Sequence, residues 1–478
     1  MAVADQVEHY IYLVRNDQSS APSTWDGGLM SGWDASERDR VAALCEEHRI
    51  HTVECVIVDT WGIPRGKRIP VRQFLRGAGY AIANVVYSWD PTCFIFATPW
   101  VSEEDGFPDM HAVPDLSSFR VAGWTEGVAI VICDTVHPGT NAPIQMDARN
   151  MLKRQLAKFV EAGFLVNGAT ELECHFFTDK WEPLYGDINC YSIARGAEMN
   201  YFMHDICESL RKTGIEVEAW NVEYGPGQTE INLRYGPLLE MADATVYFKY
   251  IVRTVAKKHG INTTFMAKPF LQEAGNGMHI HQSLERDGVN AFALADEDSI
   301  IGNSLMRKYL TGLLKHHMEL QLVMTPTVSG YKRLQDYSFS PTQVTWGLDH
   351  RLVGVRSITG AGAANRLESR WAAADANPYL VLAGCLAAGM DGLENEYELM
   401  DQVVGDPHAD ERWQRLPTDL TGAIDNFDSE FTRSTYGDVF VDNFVFMQRR
   451  EAAEFAEHGH SPQDQVSEWE IKRYRGVI

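Results

Sequence analysis

The sequence predicts an α+β protein in which a small, sheet-rich unit precedes a larger unit of strands and helices. The 478 residues, 45% of them hydrophobic, are enough for two or three domains with cores of their own. Apolar runs of strand length dominate the first 135 or so residues. Capped segments of helical periodicity appear mainly after Asp147 and alternate with further strands.

The first unit is predicted to contain one helix followed by strands. Apolar residues between positions 41 and 48 keep helical spacing, and Thr52–Val58 is apolar enough for a buried strand. Residues 61–67 contain Gly-Ile-Pro and a second glycine, which predicts a tight turn into the next strand. Further strands are predicted over residues 81–87, 93–97 and 128–133.

Two prolines and a glycine lie between residues 138 and 143, and we place a domain boundary there. The expected division is an amino-terminal domain of residues 1–139 and a second domain of residues 140–478.

The second unit has clearer helix signals. Asp147 is a candidate helix cap, because the residues after it form one apolar stripe that Gly163 ends. Helices are also predicted over residues 197–213 and 240–259, each ended by a glycine. The most apolar segment, residues 379–390, is too short to span a bilayer and is predicted to be a buried helix.

Charge and cysteine usage exclude several classes of function. The formal net charge of -24 argues against a nucleic-acid groove and against an anionic membrane surface, since both need Lys and Arg. The eight cysteines form no CxxC pair, and most lie in apolar runs, as expected in a reducing cytoplasm. The amino terminus has no basic stretch followed by an apolar core. We therefore expect a cytoplasmic protein.

Four segments carry carboxylates and imidazoles at spacings that suit paired metal ions. Side chains at i and i+2 of a strand leave by the same face, so Glu171 and Glu173 point together, as do His279 and His281. The remaining members are Glu223, Glu230 and Glu368, the last of which stands between Arg366 and Arg370. Carboxylates with an imidazole favour Mg²⁺ or Mn²⁺, and zinc is less favoured because no cysteine joins the set.

Each motif alone also has an ordinary explanation. A single Glu-x-Glu is usually a solvated sheet face, and a single His-x-His is usually a satisfied pair. The alternation of Arg366, Glu368 and Arg370 also fits a salt-bridge ladder. Asp59 precedes a Gly-Ile-Pro turn, and turns favour aspartate for its own backbone hydrogen bonds. A functional site is favoured because all of these motifs occur together in one sequence.

Eight segments in order carry a resemblance to a known family. They are VDTWGIPRGKRIP, TELECHFF, NVEYGPGQTEI, KPFLQEAGNGMHIHQSL, YKRL, RLVGVR, NRLESRW and ANPYL. Together they resemble glutamine synthetase of the bacterial type from about residue 50 to residue 390, and more weakly to the end. Within that family, the chain looks most like the γ-glutamylamide synthetase branch.

The resemblance implies a small amino-terminal β-grasp-like domain and a large catalytic domain built on a curved antiparallel sheet. It implies ATP, glutamate and an amine as substrates, with two to three Mg²⁺ or Mn²⁺ ions in each site. It further implies a homo-oligomer, a dodecamer of two hexameric rings, in which Asp59 reaches the site of the neighbouring subunit.

Carried onto this sequence, the resemblance gives each candidate residue a role. The first metal site takes Glu173, Glu223 and Glu230, and the second takes Glu171, His279 and Glu368. ATP is met by His281, Ser283, Arg351, Arg356 and Arg366. Glutamate and the phosphoryl group are met by Arg333, Arg370 and Gly275, and the catalytic candidates are Asp59, Arg351 and Arg370. Two metals and several arginines supply the positioning and charge neutralisation that phosphoryl transfer requires.

Departures from the family pattern point to the second substrate. Phe339 occupies the flap position at which glutamine synthetases carry a glutamate, and Ala274 replaces a common asparagine in the glutamate loop. Loss of the flap acid makes ammonium a less favoured substrate, and a phenyl ring favours an apolar or aromatic amine. An arylamine fits well because it is neutral at pH 7, while alkylamines and ethanolamine stay open.

The expected reaction is therefore the ATP-dependent joining of the γ-carboxylate of glutamate to an organic amine through γ-glutamyl phosphate, in amine catabolism. Two alternatives remain. The chain could be an ammonium-using glutamine synthetase in which Asp336 or another flap acid replaces the lost one, or a non-catalytic, ring-forming structural relative.

Overall fold

The computed structural model describes residues 33–77, 79–293, 302–360, 362–458 and 466–478, and the structural statements below refer to these residues. They form one sheet of six strands from the first third of the chain and one of ten strands from the remainder. Most of the helices follow the first sheet. This architecture confirms the predicted α+β class. Residues 1–32 of the predicted amino-terminal domain lie outside the described ranges.

The strands are β1 (Thr52–Val58), β2 (Pro64–Pro70), β3 (Tyr80–Ala83), β4 (Asp109–Pro114), β5 (Arg120–Val121), β6 (Val128–Val136), β7 (Leu165–Phe177), β8 (Val217–Val222), β9 (Gln228–Leu233), β10 (Gly236–Pro237), β11 (Asn262–Thr264), β12 (Met278–Arg286), β13 (Val289–Asn290), β14 (Trp346–Leu348), β15 (Val355–Ile358) and β16 (Arg366–Ser369).

The α-helices are α1 (Ala35–Glu47), α2 (Val71–Phe74), α3 (Ala148–Glu161), α4 (Ile193–Lys212), α5 (Leu238–Lys258), α6 (Ser304–Met324), α7 (Val328–Arg333), α8 (Pro378–Glu394), α9 (Leu420–Phe427), α10 (Glu430–Tyr436), α11 (Asp438–Glu457) and α12 (Glu468–Glu470). Short 3₁₀ turns span Asn84–Ser88, Leu116–Ser118, Gly362–Ala364 and Pro407–Ala409, and a π-helical turn spans Ile471–Arg475.

The first sheet runs in the order β2-β1-β6-β4-β3, and β5 pairs with β6. β1 and β6 pair in parallel, and the other neighbours are antiparallel. β1 is buried along almost its whole length, as its largely apolar sequence requires. β2, rich in Pro, Arg and Lys, forms an exposed edge that is poorly suited to further pairing.

The second sheet runs in the order β14-β15-β16-β12-β7-β9-β8, with β10 and β11 on β7 and β13 on β12. Every pair is antiparallel except β14 with β15, which confirms the expected antiparallel sheet. α5 packs against β7, and α8 contacts α3, α5 and α6. α8 is buried along most of its length, as predicted for the apolar segment at residues 379–390.

Local sequence explains where the helices begin and end. The carboxylate of Asp147 accepts the backbone N–H groups of Arg149 and Asn150 at 3.0 and 3.3 Å, which satisfies donors at the start of α3. Gly163, with φ at 79°, follows the end of that helix. The predicted helix starting after Asp147 is confirmed, as are those over residues 197–213 and 240–259, each within a few residues.

Of the strand predictions in the first unit, that over residues 81–87 is confirmed only in part, and that over residues 93–97 was wrong. β3 ends at Ala83, and the rest of residues 81–87 forms a 3₁₀ turn. No strand spans residues 93–97, because the carboxylate of Asp90 accepts the N–H groups of Thr92 and Phe94 at 2.8 and 2.9 Å. Side-chain capping of this kind offers the backbone an alternative to sheet pairing.

Within the described ranges, no helix combines the length and the apolar character needed to cross a membrane.

Candidate active site

Strand register places the candidate ligands on one face of the second sheet. Glu171 of β7 lies opposite His279 of β12, and Glu173 lies opposite Glu230 of β9. His281 of β12 lies opposite Glu368 of β16. Residues opposite each other in antiparallel strands share a face, and so do residues two apart on one strand. Four neighbouring strands thus build one acidic surface.

The ligand atoms on this face form two groups. In the first group, Glu171, Glu230 and His279 each have one potential metal-binding atom within 4.8 Å of those of the other two. In the second group, the same is true of Glu171, His281 and Glu368. His281 Nε2 is 2.9 Å from Glu171 Oε1, and His279 Nδ1 is 3.4 Å from Glu171 Oε2. Glu171 therefore belongs to both groups.

The members of these two groups differ from those of the two metal sites implied by the family resemblance. Glu230, expected beside Glu173 and Glu223, lies within reach of Glu171 and His279, and His281, expected at the nucleotide, joins Glu171 and Glu368. Glu173 and Glu223 line a cavity together with Glu230 and His279. The six predicted ligands are clustered, and His281 stands with them.

Carboxylates in that cavity repel one another. Burial, followed by the charge of Glu223, raises the pKa of Glu173 to about 7. Burial, followed by the charges of Glu173, Glu171 and Glu223, raises the pKa of Glu230 to about 8. Burial also raises the pKa of Glu223. Such a cluster favours a cation, because a positive charge among the carboxylates stabilises their ionised form.

Glu171 and Glu368 lie in a different electrostatic setting. Burial alone would raise the pKa of both acids. At Glu171 the effect of burial is outweighed by His279 and His281. At Glu368 it is outweighed by Arg370 together with the same two histidines. The pKa of Glu171 falls well below its usual range, and that of Glu368 falls to about 2. Burial and the charge of Arg370 lower the pKa of His279 to about 4, so its imidazole is neutral at pH 7 and offers a lone pair.

The cavity that holds Glu173, Glu223, Glu230 and His279, here the first cavity, has a volume of about 290 Å³. Arg333 and Arg370 bring two buried guanidinium groups to it. Arg333 donates to the carbonyl oxygens of Trp371 and Arg370 at 3.2 and 3.4 Å. Burial lowers its pKa to about 10, which leaves it a cation at neutral pH. The pair is placed to hold anionic oxygens beside the acids.

The glycine loop before β12 forms another wall of the first cavity. Gly275 lines it, and the Gly275 carbonyl accepts from Gln228 Nε2 at 2.9 Å. A Cβ on Gly277 would lie 2.7 Å from Arg333 Nη2, so a side chain there would displace the guanidinium. The glycines permit the loop, the arginine and Glu173 to lie close together.

Three aromatic residues line the first cavity: Phe339, Tyr224 and Tyr191. Phe339 and Tyr224 are stacked with ring centroids 5.3 Å apart and planes at 25°. Their side chains stay 53% and 44% exposed, so both rings present free surface. Phe339 has φ at 59°, a left-handed conformation that costs a non-glycine residue about 1–3 kcal/mol.

A second cavity, also of about 290 Å³, includes Glu171 in its lining. His281, Ser283 and Arg366 line it, which brings together three of the five residues predicted to meet ATP. Arg366 Nε donates to His281 Nδ1 at 3.0 Å.

The structure places the other two predicted nucleotide residues differently. Arg351 lines the first cavity, near Tyr191 and Glu223. Arg356 is held between Glu368 and Asp349, with its Nη1 2.8 Å from Glu368 Oε2, and does not line either cavity. Sequence order could not separate these positions, because Arg351 lies in the short β14–β15 connection and Arg356 follows closely in β15.

Asp59 is fully buried within its own chain. Its Oδ2 lies 2.8 Å from Arg65 Nε, and its Oδ1 accepts the N–H groups of Trp61 and Ile63 at 3.0 and 2.9 Å. Asn377, which caps α8, donates to the Asp59 carbonyl at 3.0 Å. The geometry is that of the turn-forming aspartate considered above.

Sequence reasoning missed several residues of the site. Tyr191 and Tyr224 line the first cavity, and Asn232 and Tyr235 line the second. Asn232 had a signal in the sequence, because it is two residues from Glu230 on the same strand face. The tyrosines had none, since exposed aromatic residues in loops show their neighbours only in three dimensions.

Comparisons with known proteins agree with this geometry. The sequence model of the glutamine synthetase catalytic domain matches residues 145–474. A glutamate–isopropylamine ligase from a Pseudomonas species is 31% identical over 458 residues, 92% of this chain and 98% of that protein. The gamma-glutamylethanolamide synthetase GlnA4 of Streptomyces coelicolor is 30% identical over 457 residues, 91% of this chain and 95% of that protein.

A solved structure described as a GmaS/ADP complex is also similar. It is 28% identical and has a TM-score of 0.78, and the match covers 90% of this chain and 98% of that one. The family match spans most of the chain and includes every predicted metal ligand. The resemblance recognised in the sequence is thereby confirmed: the chain belongs to the glutamine synthetase family and is a ligase.

Proposed function

We propose that the protein joins the γ-carboxylate of L-glutamate to an organic amine, with apolar or aromatic amines favoured, through γ-glutamyl phosphate. The products are a γ-glutamylamide, ADP and phosphate. One observation carries the proposal: Phe339 stacks on Tyr224 in the first cavity, beside three carboxylates and two buried arginines. Acids and arginines of the kind that phosphoryl transfer requires line this cavity, while an aromatic surface stands where ammonium-using relatives are expected to carry an acid.

The clustered side chains fit Mg²⁺ or Mn²⁺, which the family uses in general together with ATP. Oxygen donors dominate both ligand groups, and each group has one imidazole. After burial, the charges of neighbouring carboxylates contribute to the raised pKa values of Glu173 and Glu230, and a bound cation would offset that repulsion. Bound divalent ions would neutralise charge on the phosphate oxygens. We propose two to three ions per site.

The remaining roles follow from position. Arg333 and Arg370 would bind the carboxylate and phosphoryl oxygens, with Gly275 on the facing wall. The second cavity would take the nucleotide, with Ser283 and Arg366 as polar contacts and the exposed ring of Tyr235 as a surface for the base. Arg351 would meet the transferring phosphoryl group from the first cavity.

We also propose the oligomer and the domain division given by the resemblance. The expected assembly is a dodecamer of two hexameric rings, with residues 1–139 as a domain that adds to the site of a neighbouring subunit. Asp59 can act there only if its contact with Arg65 opens, because both of its carboxylate oxygens are occupied.

An ammonium-using glutamine synthetase is the second candidate. That reading needs another flap acid, and Asp336 was the nearest choice. Its Oδ1 is 2.8 Å from Arg415 Nη2, it also accepts from Thr342, and it does not line the first cavity. The flap geometry therefore favours the organic amine. A structural, non-catalytic role has no observation in its favour.

The test is ATP- and Mg²⁺-dependent phosphate release with glutamate and each of ammonium, ethanolamine, isopropylamine, putrescine and aniline. Mass spectrometry of the γ-glutamylamide accompanies each assay. We expect an organic amine to give the highest kcat/KM. A higher kcat/KM for ammonium than for any organic amine would refute the proposal.

A further inference from the structure

The first cavity offers no carboxylate to a cationic amine. Its acidic lining consists of Glu173, Glu223 and Glu230, all predicted metal ligands. Asp336, considered as a replacement flap acid, is paired with Arg415, and Asp59, expected to reach the site of a neighbouring subunit, is paired with Arg65. Arg351 adds a positive charge to the lining. An alkylammonium ion entering this cavity meets three arginines, Arg333, Arg351 and Arg370, and no carboxylate among the described residues other than the predicted metal ligands.

The same cavity has an aromatic wall. Tyr224 follows Glu223 directly, and its backbone N–H donates to Glu223 Oε2 at 3.3 Å. Tyr191 is anchored by its N–H, which donates to the Val222 carbonyl at 2.9 Å. Phe339 approaches Tyr224 from the opposite segment. These contacts place the backbones of Tyr224 and Tyr191 beside the predicted metal ligand Glu223, and stacking places Phe339 against Tyr224.

Resting on the proposed function, we infer that Tyr224 and Phe339, with Tyr191 beside them, form the amine site and select a neutral primary arylamine over alkylammonium ions. A flat ring gains offset-stacked or edge contacts with exposed aromatic surface. Lack of charge on the amine removes the need for a carboxylate. Tyr224 is then a specificity-determining residue that sequence reasoning did not identify.

The chemistry of the step agrees with the missing flap acid. The nitrogen lone pair of a neutral arylamine attacks the γ-carbonyl carbon of γ-glutamyl phosphate, a C–N bond forms, and the C–O bond to phosphate breaks. Phosphate leaves with the electron pair of that bond. The nitrogen loses one proton, which the departing phosphate can take. An alkylammonium ion must lose a proton before it can attack, and so requires a base that this lining does not supply.

The experiment compares the wild-type enzyme with Tyr224→Ala, Tyr224→Leu, Tyr224→Phe and Phe339→Ala. kcat/KM is measured for aniline, isopropylamine, ethanolamine and the small neutral amine hydroxylamine at saturating ATP and glutamate. We expect the wild-type enzyme to favour aniline over both alkylamines by at least tenfold. We expect Tyr224→Ala, Tyr224→Leu and Phe339→Ala to lower the aniline-to-hydroxylamine ratio about tenfold, and Tyr224→Phe to retain it.

Tyr201→Ala is the matched control, because Tyr201 is an exposed tyrosine on α4 that does not line the cavity. Ratios between amines separate amine selection from any general loss of activity, and Tyr224→Phe keeps the ring if Tyr224→Ala fails to fold. In addition, the wild-type KM for aniline should stay constant between pH 7 and pH 9. The KM for isopropylamine should fall over that interval as its neutral fraction increases.

Equal or better use of an alkylamine by the wild-type enzyme overturns the inference, although the proposed ligase activity then stands. An aniline-to-hydroxylamine ratio that does not respond to ring removal also overturns it. Failure of every amine to support phosphate release rejects the proposed function and this inference with it.

Discussion

At the scale of single residues, the charges around the second sheet divide into two environments. Glu171 and Glu368 are paired with histidines and arginines, whereas Glu173 and Glu230 face other carboxylates. Neighbours on one sheet face thus differ in pKa by several units. The lining of the first cavity also departs from the family pattern, because Phe339 has an aromatic side chain at the position where the family carries a glutamate.

Phe339→Glu is predicted to change the amine preference. A carboxylate beside Tyr224 would bind ammonium and accept its proton, so kcat/KM for ammonium should rise at least tenfold. Use of an aromatic amine should fall about tenfold because the stacking surface is lost. Steady-state kinetics with both amines measure the change, and Phe339→Gln controls for polarity without charge. If ammonium use does not increase, Phe339 serves only packing.

Magnesium affinity is predicted to increase with pH between 6 and 8. In the metal-free protein Glu173 and Glu230 have pKa values of about 7 and 8, so each holds a proton for part of the time at pH 7. Bound Mg²⁺ displaces those protons, and affinity should rise by up to about tenfold per pH unit for each proton released. Calorimetry in buffers of different ionisation enthalpy counts the protons.

The same shifts predict how Mg²⁺ stabilises the fold. The folded-state pKa values of these acids lie above the unfolded ones, so their contribution to stability is complete at low pH and is lost as pH rises through 7 to 8. The increase in Tm on adding Mg²⁺ should therefore be larger at pH 8 than at pH 6. An increase that is independent of pH would contradict the assignment of these acids to the metal.

At the scale of elements, the ends of strands and short connections carry the site. Glu223 follows β8, Arg370 follows β16, and Arg333 is the last residue of α7. A buried ion pair joins α7 to the carboxyl-terminal helix α12. Lys332 Nζ lies 2.6 Å from Glu470 Oε2, and both side chains are fully buried. The carboxyl-terminal segment therefore helps to position an arginine that lines the first cavity.

Lys332→Met is predicted to destabilise the protein by about 3–5 kcal/mol, because it leaves Glu470 buried without its cation. The double variant Lys332→Met, Glu470→Met should recover much of this loss, since two apolar groups replace the pair. Denaturant unfolding measures the free energies, and the KM for glutamate reports on Arg333. Equal stability of the single variant and wild type would mean that the pair does not brace α7.

At the scale of the whole molecule, one buried arginine connects the first unit to two helices of the second unit. Arg149 of α3 donates to Asp115 and Asp134 from the first unit, at 2.8 and 2.7 Å, and to both carboxylate oxygens of Asp243 on α5. Lys153 is the second cation of this cluster. The cluster lies beside the proposed domain boundary and fixes the first unit against the second.

Arg149→Met is predicted to cost about 3–5 kcal/mol of unfolding free energy, because three carboxylates are left with one lysine. Arg412→Met is the control, since Arg412 is half-exposed in its ion pairs and such pairs contribute about 0–1 kcal/mol. Denaturant unfolding followed by tryptophan fluorescence measures both. A loss at Arg149 as small as the control would show that the units are held together by apolar packing.

Much of the site was accessible from the sequence because strand alternation is strictly local. The pairs Glu171 with Glu173 and His279 with His281 follow from a period of two, and the family motifs supplied the rest of the ligands. The prediction of a strand at residues 93–97 was wrong because the side chain of Asp90 accepts hydrogen bonds from nearby backbone N–H groups. The apolar sequence of this segment gave no sign that these groups were already bonded.

The sequence by itself determined the α+β class, the family and most of the acidic and imidazole side chains that cluster on the second sheet, since these depend on local periodicity and on motifs in order. Only the tertiary structure decided that Glu230 lies with Glu171 and His279, that Asp336 faces Arg415, and that Tyr224 stacks on Phe339. Each of these depends on sheet register or on a loop conformation. Both are set by packing between segments far apart in the chain, which no local pattern encodes.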